Sequence, residues 1–315
     1  MLKKVLFIDT THPVLPRILE ENGFECHYFL SNNLEDLKKI IGDFQAIIVR
    51  SKFTFDMELL SCCTNLKCIG RVGAGMENIN VEFAENRGIK CLNAPQGNRD
   101  AVGEHALGML LNLFNNINVA DAEVRSGIWK REENRGYEIN GKTVAIIGYG
   151  NMGSSFAKKL LGFEAKIIAY DKYKSGFGDD NVSEVSMQEV FNQADIVSLH
   201  LPLTEETKFL VNKSWIEKFQ KEITLINTSR GKIVQTSALV NAMKSSKIFG
   251  ACLDVLEYEK TSFENLFMNN FPTEFQYLIN SKRVVLSPHI AGWTYESNIK
   301  LAKIIAKKIV AVLKQ

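Results

Sequence analysis

The sequence predicts an α/β fold of two doubly wound, Rossmann-like domains with parallel sheets, linked by two long helices. Short β-rich runs alternate with helix-length amphipathic segments in two series, and the second series begins at KTVAIIGYG. Residues 101–127, which lack proline, and residues 294–315 have apolar residues at helical spacing and predict the two long helices. We expect two domains with these bounds: residues 1–97 with 290–315, and residues 98–289.

The composition is typical of a globular protein. Of 315 residues, 45% are hydrophobic and 23% are charged, and the formal net charge is +2. This balance gives no general attraction to nucleic acid or to an anionic membrane. No apolar run approaches the length that spans a bilayer, and the start MLKKVLFID runs directly into a strand-like segment. We therefore expect no signal peptide, no membrane contact and a cytoplasmic location.

The cysteines do not have the spacing of a zinc site. Two are adjacent, and most of the others fall in apolar, strand-like runs. We expect reduced, buried thiols in a reducing compartment, and no metal. The six residues are Cys26, Cys62, Cys63, Cys68, Cys91 and Cys252.

A glycine-rich turn opens the second series. Gly148, Gly150 and Gly153 form the pattern G-x-G-x-x-G directly after a predicted strand, with Asn151 and Met152 at the start of the following helix. Such glycines permit a tight turn, a close approach to a pyrophosphate and close packing of helix on strand. The helix N-terminus favours the phosphates. We predict a dinucleotide site, the alternative being a glycine turn without a ligand.

An acidic residue, Asp171, ends the next strand, 18 residues after Gly153. Its carboxylate can accept hydrogen bonds from both ribose hydroxyls and would repel a 2′-phosphate. The sequence therefore favours NAD over NADP, and residues 98–289 are predicted to be the NAD-binding domain. Lys172 and Lys174 weaken this preference.

Three strand ends of the second series carry charged or titratable side chains. ITLINTSRG ends near Arg230, GACLDVLEYE near Asp254 and Glu259, and VVLSPHIAG near His289. Ligands of open α/β sheets bind beyond the carboxyl ends of the strands. An arginine binds a carboxylate with a two-pronged fork, an imidazole exchanges a hydroxyl proton, and a carboxylate orients that imidazole. The set suits hydride transfer between a 2-hydroxy acid and nicotinamide.

Seven segments together resemble one family, the D-isomer-specific 2-hydroxyacid dehydrogenases, along nearly the whole chain. The similarity is greatest to short D-3-phosphoglycerate dehydrogenases without a regulatory domain, so no feedback control through such a domain is expected. The segments are RVGAGMENIN, NAPQGNRDAVGEHALGMLL, GKTVAIIGYGNMG, SLHLPLTEETKFLVN, INTSRGKIV, ACLDVLEYE and SPHIAG.

The resemblance implies roles for individual residues. Arg230, Glu259 and His289 would be the catalytic triad, and Asp254 would meet the carboxamide side of the nicotinamide. The other implied cofactor contacts are Thr228, Ser229 and Gly292, with His200, Pro202 and Thr207 near the adenosine half. A structural alternative stands beside these roles. On that alternative, His200 would cap its strand, Asp254 would only anchor its loop, and Glu257 would be a surface carboxylate. We take His12, His27 and His105 to be structural or exposed.

The first series supplies the predicted substrate-binding domain, residues 1–97 with 290–315. The resemblance implies that backbone N–H groups of Ala74 and Gly75 help to hold the substrate carboxylate. Arg50 and Lys52 follow another strand, and two cations there would suit a phosphate. The alternative is an ordinary solvated pair. The leading hypothesis is oxidation of 3-phosphoglycerate to 3-phosphohydroxypyruvate, the entry to serine biosynthesis. Reduction of hydroxypyruvate or glyoxylate, or turnover of another D-2-hydroxy acid, is the alternative.

Several residues depart from the family pattern. These departures weaken the argument that this chain acts on the same substrate as the proteins it resembles. Glu77 replaces the usual aspartate, and Ala101 and Gly103 alter the usual Ser-Val-Ala-Glu. The connection at residues 261–281 is unusually long and aromatic, and Lys260 precedes it where proline is common. The remaining departure is Trp293, a bulky residue after HIAG, which either shapes the substrate site or packs on the last helix.

Two wider questions stay open in the sequence. Some corepressors of this fold bind NAD(H) to control protein association, so a non-enzymatic NAD(H)-sensing protein is the alternative to an enzyme. The resemblance also implies a homodimer through the NAD-binding domain, with residues 125–142, including Trp129, as an arm that crosses between subunits. The alternative for this arm is an ordinary interdomain loop.

Overall fold

The computed structural model describes residues 2–259 and 271–315. The strands are β1 (Lys4–Phe7), β2 (Glu25–Tyr28), β3 (Ala46–Val49), β4 (Cys68–Arg71), β5 (Lys90–Leu92), β6 (Thr143–Ile147), β7 (Lys166–Tyr170), β8 (Val182–Glu184), β9 (Ile196–Leu199), β10 (Ile223–Asn227), β11 (Ile248–Leu253) and β12 (Val284–Leu286). The α-helices are α1 (Val14–Glu21), α2 (Leu34–Ile40), α3 (Met57–Ser61), α4 (Val81–Asn86), α5 (Pro95–Phe114), α6 (Ile117–Arg125), α7 (Asn151–Leu160), α8 (Met187–Gln193), α9 (Lys213–Ile216), α10 (Thr236–Lys244), α11 (Thr273–Asn280) and α12 (Tyr295–Leu313).

The chain divides into two compact units. One contains the residues as far as Asn98 together with Trp293–Gln315, and the other is Arg99–Gly292. Within the described residues, each unit contains one sheet whose strand pairings are all parallel. The predicted α/β class with two Rossmann-like parallel sheets is therefore confirmed.

The first unit has the strand order β2-β1-β3-β4-β5. Every residue of β3 (AIIV) is buried, and alternate residues of β1 pack into different apolar clusters, as expected for a parallel sheet covered on both faces. The last helix, α12, belongs to this unit. A Cβ added to Gly70 of β4 would lie 2.7 Å from Ile309 Cδ1, so a glycine there lets the helix approach the sheet closely.

The second unit has the strand order β12-β11-β10-β9-β6-β7-β8. All five residues of β6 (TVAII) and of β10 (ITLIN) are buried between two layers of apolar side chains. The chain order reverses between β6 and β9, and such a reversal marks the crevice where open α/β sheets bind ligands. The short strand β8 was not predicted, because its three residues, VSE, carry little apolar signal.

The predicted connecting helix at residues 101–127 is two helices. Helix α5 begins earlier, at Pro95, and ends at Phe114, and α6 follows from Ile117. Asn116 between them has φ of +53°, in the left-handed region that asparagine tolerates better than most residues. The apolar spacing continues across this break, so the pattern alone predicted one helix.

Several expectations concern single residues or absences. No helix in the described ranges is both long and apolar enough to cross a bilayer, and no group of three or more metal-ligating side chains there could hold an ion. All six cysteines are free; three are buried and three are half-buried, so the predicted burial holds only in part. Lys260 and residues 261–270 lie outside the described residues, and the rest of the long aromatic connection includes α11.

Candidate active site

The glycine turn lies at the carboxyl end of β6, beside the point where the strand order reverses. Gly148 has φ of +91°, and a Cβ there would lie 2.4 Å from the carbonyl oxygen of His200. A Cβ on Gly153 would lie 2.1 Å from the carbonyl oxygen of Gly148. Both positions therefore require glycine, because the β9 loop and the start of α7 press directly on the turn.

The same turn has room for a phosphate. Gly150, the residue before α7, has no atom within 4 Å of where its Cβ would be, and no side chain caps the helix. The backbone N–H groups of Asn151, Met152 and Gly153 belong to the first turn of the helix, where N–H groups lack intrahelical partners. Uncapped N–H groups beside an open glycine fit a pyrophosphate.

Asp171 is half-exposed just after β7, and its carboxylate orders the turn as well. It accepts hydrogen bonds from the backbone N–H groups of Tyr149 (2.8 Å), Tyr173 (2.9 Å) and Lys174 (3.1 Å). The ammonium of Lys172 is paired with Glu206, which also accepts a hydrogen bond from the Tyr173 hydroxyl. This pairing offsets the positive charge of Lys172, an effect that the local sequence did not reveal.

The segment after β9 contains three predicted adenosine-side residues. The His200 ring lies 2.9 Å from the Ser198 hydroxyl through Nε2, and its Nδ1 is buried without a partner among the described residues. Burial lowers the pKa of His200 to about 3, so the ring is neutral. Thr207 donates through Oγ1 to the carbonyl of Pro202 (2.6 Å), and so closes the loop on itself. Pro202 is exposed.

Residues 228–231 follow β10 at the same edge. The buried Thr228 hydroxyl has no partner among the described residues, whereas the Ser229 hydroxyl accepts from the Leu201 N–H (3.2 Å). Arg230 is half-buried and donates through Nη1 to the Ser229 carbonyl (2.7 Å). A Cβ on Gly231 would lie 1.8 Å from the carbonyl oxygen of Leu256, so this loop packs backbone to backbone on the loop that carries Glu259.

The structure brings two of the predicted catalytic side chains together. His289 Nδ1 lies 2.7 Å from Glu259 Oε2, and both side chains are partly exposed. The other carboxylate oxygen of Glu259 accepts from the Leu256 N–H, which fixes the carboxylate. Glu257 instead accepts from the N–H of Thr236, at the start of α10, which is a structural position (2.7 Å). When Nδ1–H donates to Glu259, Nε2 is the nitrogen that exchanges a proton.

Asp254 is buried at the end of β11 and anchors the loop that carries His289. Its carboxylate accepts from the Ser287 hydroxyl (2.6 Å) and from the N–H groups of Ile290 and Ala291 (2.8 Å each). The Asp254 carbonyl accepts from the N–H of His289 (2.7 Å), whose φ of +56° is in the left-handed region. Gly292 ends this loop. Any contact of Asp254 with nicotinamide is additional to this anchoring.

His105 extends the anchor and was not predicted as part of the site. Its Nε2 lies 2.8 Å from the Ser287 hydroxyl and 3.5 Å from Asp254. Burial alone would raise the pKa of Asp254, but the hydrogen bonds from His105, Ser287 and the backbone of Ala291 and Ile290 outweigh it and lower the pKa. The position of His105 on a helical segment far from SPHIAG gave no sequence signal for this contact.

In the first unit, the predicted substrate residues lie after β3 and β4. The guanidinium of Arg50 lies over the Trp293 ring, with Cζ 4.2 Å from the centroid. The ammonium of Lys52 donates to the backbone carbonyl of Leu30 (2.6 Å). Ala74 and Gly75 form a half-buried turn that Asn93 holds by donating to the Ala74 carbonyl (2.7 Å). Arg50 and Lys52 therefore differ: one is stacked, and the other is tied to the main chain.

The second unit combines a glycine turn at the strand-order reversal, an acid after the next strand and a histidine–glutamate pair, and this arrangement fits a dinucleotide-binding protein. Residues 107–291 match the D-isomer specific 2-hydroxyacid dehydrogenase, NAD binding domain family. The chain is 35% identical to a D-3-phosphoglycerate dehydrogenase of Archaeoglobus fulgidus over 99% of its own length, and spans 57% of that relative. The chain belongs to the D-isomer specific 2-hydroxyacid dehydrogenases and has that family's NAD-binding domain.

Other similar proteins carry different substrate names. A hydroxypyruvate reductase of Thermotoga maritima is 34% identical, with 87% of each chain covered. The crystal structure of a glyoxylate reductase from Paecilomyes thermophila is 26% identical with a TM-score of 0.87, and the match covers 100% of this chain and 96% of that one. The comparisons therefore support the family without selecting one substrate.

The anchoring role of Asp254 predicts a pH-dependent effect on stability. Asp254→Asn keeps the shape but loses the charge that accepts three hydrogen bonds, so we expect the free energy of unfolding at neutral pH to fall by about 1.5 to 3 kcal/mol. The folded pKa lies below the ordinary 3.8, so the carboxylate stabilises fully above that value and progressively less as pH falls through the folded pKa. The deficit of the variant should therefore shrink in acid.

Urea unfolding of the wild type and of Asp254→Asn, from neutral pH down through the folded pKa of Asp254, measures the effect. Asp180→Asn, at an exposed position, is the matched control and should change little. A deficit for Asp254→Asn that is the same at every pH would contradict the prediction.

Proposed function

We propose that this protein is an NAD-dependent dehydrogenase that oxidises a D-2-hydroxy acid, with 3-phosphoglycerate as the substrate and 3-phosphohydroxypyruvate as the product. The observation that carries the proposal is the contact of 2.7 Å between His289 Nδ1 and Glu259 Oε2 at the carboxyl end of the second sheet. This is the arrangement of a general base whose ring is oriented by a carboxylate. A role in serine biosynthesis and a location in the cytoplasm belong to the same proposal.

The proposed chemistry assigns one task to each side chain. His289 takes the proton of the substrate hydroxyl through Nε2, and Glu259 holds the ring and stabilises the imidazolium that results. Arg230 binds the substrate carboxylate through its planar fork. When bound, NAD supplies the nicotinamide ring that accepts the hydride. In the reverse direction, the same histidine returns the proton.

The proposed cofactor contacts follow from the shape of the second unit. The N–H groups at the start of α7 and the turn at Gly148 to Gly153 would hold the pyrophosphate, and Asp171 would accept from the adenosine ribose. The unpartnered Thr228 hydroxyl and His200 Nδ1 are further candidates, since each is a buried polar atom without a partner among the described residues. Further proposed contacts are Ser229, Pro202, Thr207, Asp254 and Gly292.

The first unit is the proposed substrate-binding domain. The N–H groups of Ala74 and Gly75 would bind the substrate carboxylate, and Arg50 would bind the phosphate. Lys52 is the weaker candidate, since its ammonium would have to leave the carbonyl of Leu30. Hydroxypyruvate or glyoxylate is the alternative substrate, favoured by the names of two of the similar proteins.

A substrate panel tests the proposal. We expect kcat/KM to be higher for 3-phosphoglycerate than for D-glycerate or D-lactate, because only the first has a phosphate for Arg50. Absorbance of NADH would measure oxidation of these acids and reduction of 3-phosphohydroxypyruvate, hydroxypyruvate and glyoxylate. Preference for either oxo acid over 3-phosphohydroxypyruvate would favour the alternative. NAD binding without turnover of any compound would favour an NAD(H)-sensing binding protein.

The proposed base predicts a separation of binding from turnover. His289→Ala should lower kcat by about 100- to 10,000-fold, because proton transfer loses its acceptor, while the affinity for NAD changes little. Stopped-flow turnover and calorimetric titration with NAD measure the two quantities. His27→Ala, half-exposed in the first unit, is the control. Retained turnover in the His289 variant would remove this residue from the reaction.

A homodimer through the NAD-binding domain is also proposed. Ile117, Val124, Ile128 and Trp129 are exposed on α6 and the following segment, with Trp129 78% exposed. Contiguous exposed apolar groups of this kind mark interfaces. Sedimentation equilibrium should give a dimer, and Trp129→Ala should weaken it, whereas Met57→Ala, exposed in the first unit, should not. A monomer at micromolar concentration would contradict the proposal.

A further inference from the structure

The strand order of the first sheet reverses between β1 and β3, so the ends of these two strands mark its ligand crevice. Asp9 follows β1, and its carboxylate accepts from the N–H groups of Arg50 (2.5 Å) and Ser51 (3.2 Å) after β3. The carboxylate thereby fixes the main chain at Arg50. The position of the arginine is consequently set by the sheet, and only its long side chain remains to be ordered.

The guanidinium of Arg50 is ordered by an aromatic ring. Its Cζ lies 4.2 Å from the centroid of Trp293, and the side chain is half-buried. Within the described residues, no carboxylate lies within ion-pair distance of this guanidinium. Lys52, two residues on, has its ammonium on the carbonyl of Leu30. Arg50 is therefore a positioned cation that the nearby Asp9 carboxylate attracts without an ion pair within the described residues.

Trp293 is placed for this contact and not for the core. Its side chain is 60% exposed, so burial contributes little to its position. The next residue, Thr294, begins α12 through a capping box with Ser297, which fixes the chain immediately after the tryptophan. The open question from the sequence thus has an answer: the indole lies on Arg50, and does not pack into the helix core.

We infer that Trp293 is a specificity-determining residue that holds Arg50 ready for an anionic group at the far end of the substrate from its 2-hydroxy acid. A guanidinium that lies over an aromatic ring keeps N–H donors for a phosphate or a carboxylate. It also restricts a long flexible side chain before the substrate arrives, which lowers the entropic cost of binding. This inference rests on the proposed function, because it assigns the substrate class of the same site.

Three substrates and three variants test the inference. The substrates are 3-phosphoglycerate, the dicarboxylic acid D-malate, and D-glycerate, which ends in a neutral hydroxyl. Trp293→Ala should lower kcat/KM for the two substrates with a terminal anion by about two- to thirty-fold relative to D-glycerate, mainly through KM. Trp293→Phe should recover part of the loss, since it keeps an aromatic face. Tyr295→Ala, 91% exposed and two residues away, is the matched control and should change none of the ratios.

The comparison of 3-phosphoglycerate with D-malate identifies the group that Arg50 binds. A loss confined to 3-phosphoglycerate indicates a phosphate, and a loss shared with D-malate indicates any terminal anion. Equal losses on all three substrates would overturn the inference, since they indicate a general structural role. A gain in kcat/KM for 3-phosphoglycerate and D-malate would also overturn it, because Trp293 would then be shielding Arg50 from these substrates.

A binding measurement separates this inference from the proposed function. Calorimetric titration of 3-phosphoglycerate, D-malate and D-glycerate into the protein with NADH needs no turnover. If the wild type binds 3-phosphoglycerate and Trp293→Ala weakens it selectively, the inference stands even when no substrate is oxidised. If the wild type oxidises D-2-hydroxy acids but binds 3-phosphoglycerate no better than D-glycerate, and D-malate no better either, the inference fails while the proposed activity stands.

Discussion

The buried carboxylate of Asp254 is the interaction on which the loop that carries His289 depends. His289 adopts a left-handed backbone conformation, which costs a non-glycine residue on the order of 1 kcal/mol or more and persists only when its surroundings enforce it. Asp254 enforces it in two ways. Its carbonyl accepts from the N–H of His289, and its carboxylate accepts from the N–H groups of Ile290 and Ala291. The ring can then reach Glu259. Asp254 thus determines where the imidazole of His289 lies.

Close backbone-to-backbone contacts at glycines set the remaining geometry at the carboxyl ends of the strands in the second sheet. Gly148 lies against the carbonyl of His200, Gly153 against that of Gly148, and Gly231 against that of Leu256. Each contact leaves no space for a methyl group, so the loops after successive strands stack without intervening side chains.

The sequence predicted those parts of the molecule that local pattern determines. Alternating apolar segments predicted the parallel sheets, and glycine spacing with Asp171 predicted the dinucleotide turn. Patterns failed where a single residue interrupts a continuing periodicity, as Asn116 does between α5 and α6, or where a strand is too short to have one, as in β8. Contacts between distant segments were equally hidden. Neither the pairing of Lys172 with Glu206 nor the reach of His105 to Ser287 has a local signature.

The two cations after β3 show why residue type alone does not identify a binding site. Arg50 and Lys52 are equivalent in the sequence, and both were predicted to face a phosphate. An ammonium is a point donor that main-chain carbonyls satisfy, whereas a planar guanidinium can stack by its face and still donate from its edge. The Lys52 ammonium donates to the Leu30 carbonyl, and the Arg50 guanidinium lies over the Trp293 ring. On the proposed function, proton transfer is therefore assigned to His289 in the second unit, and the choice of substrate to Arg50 in the first.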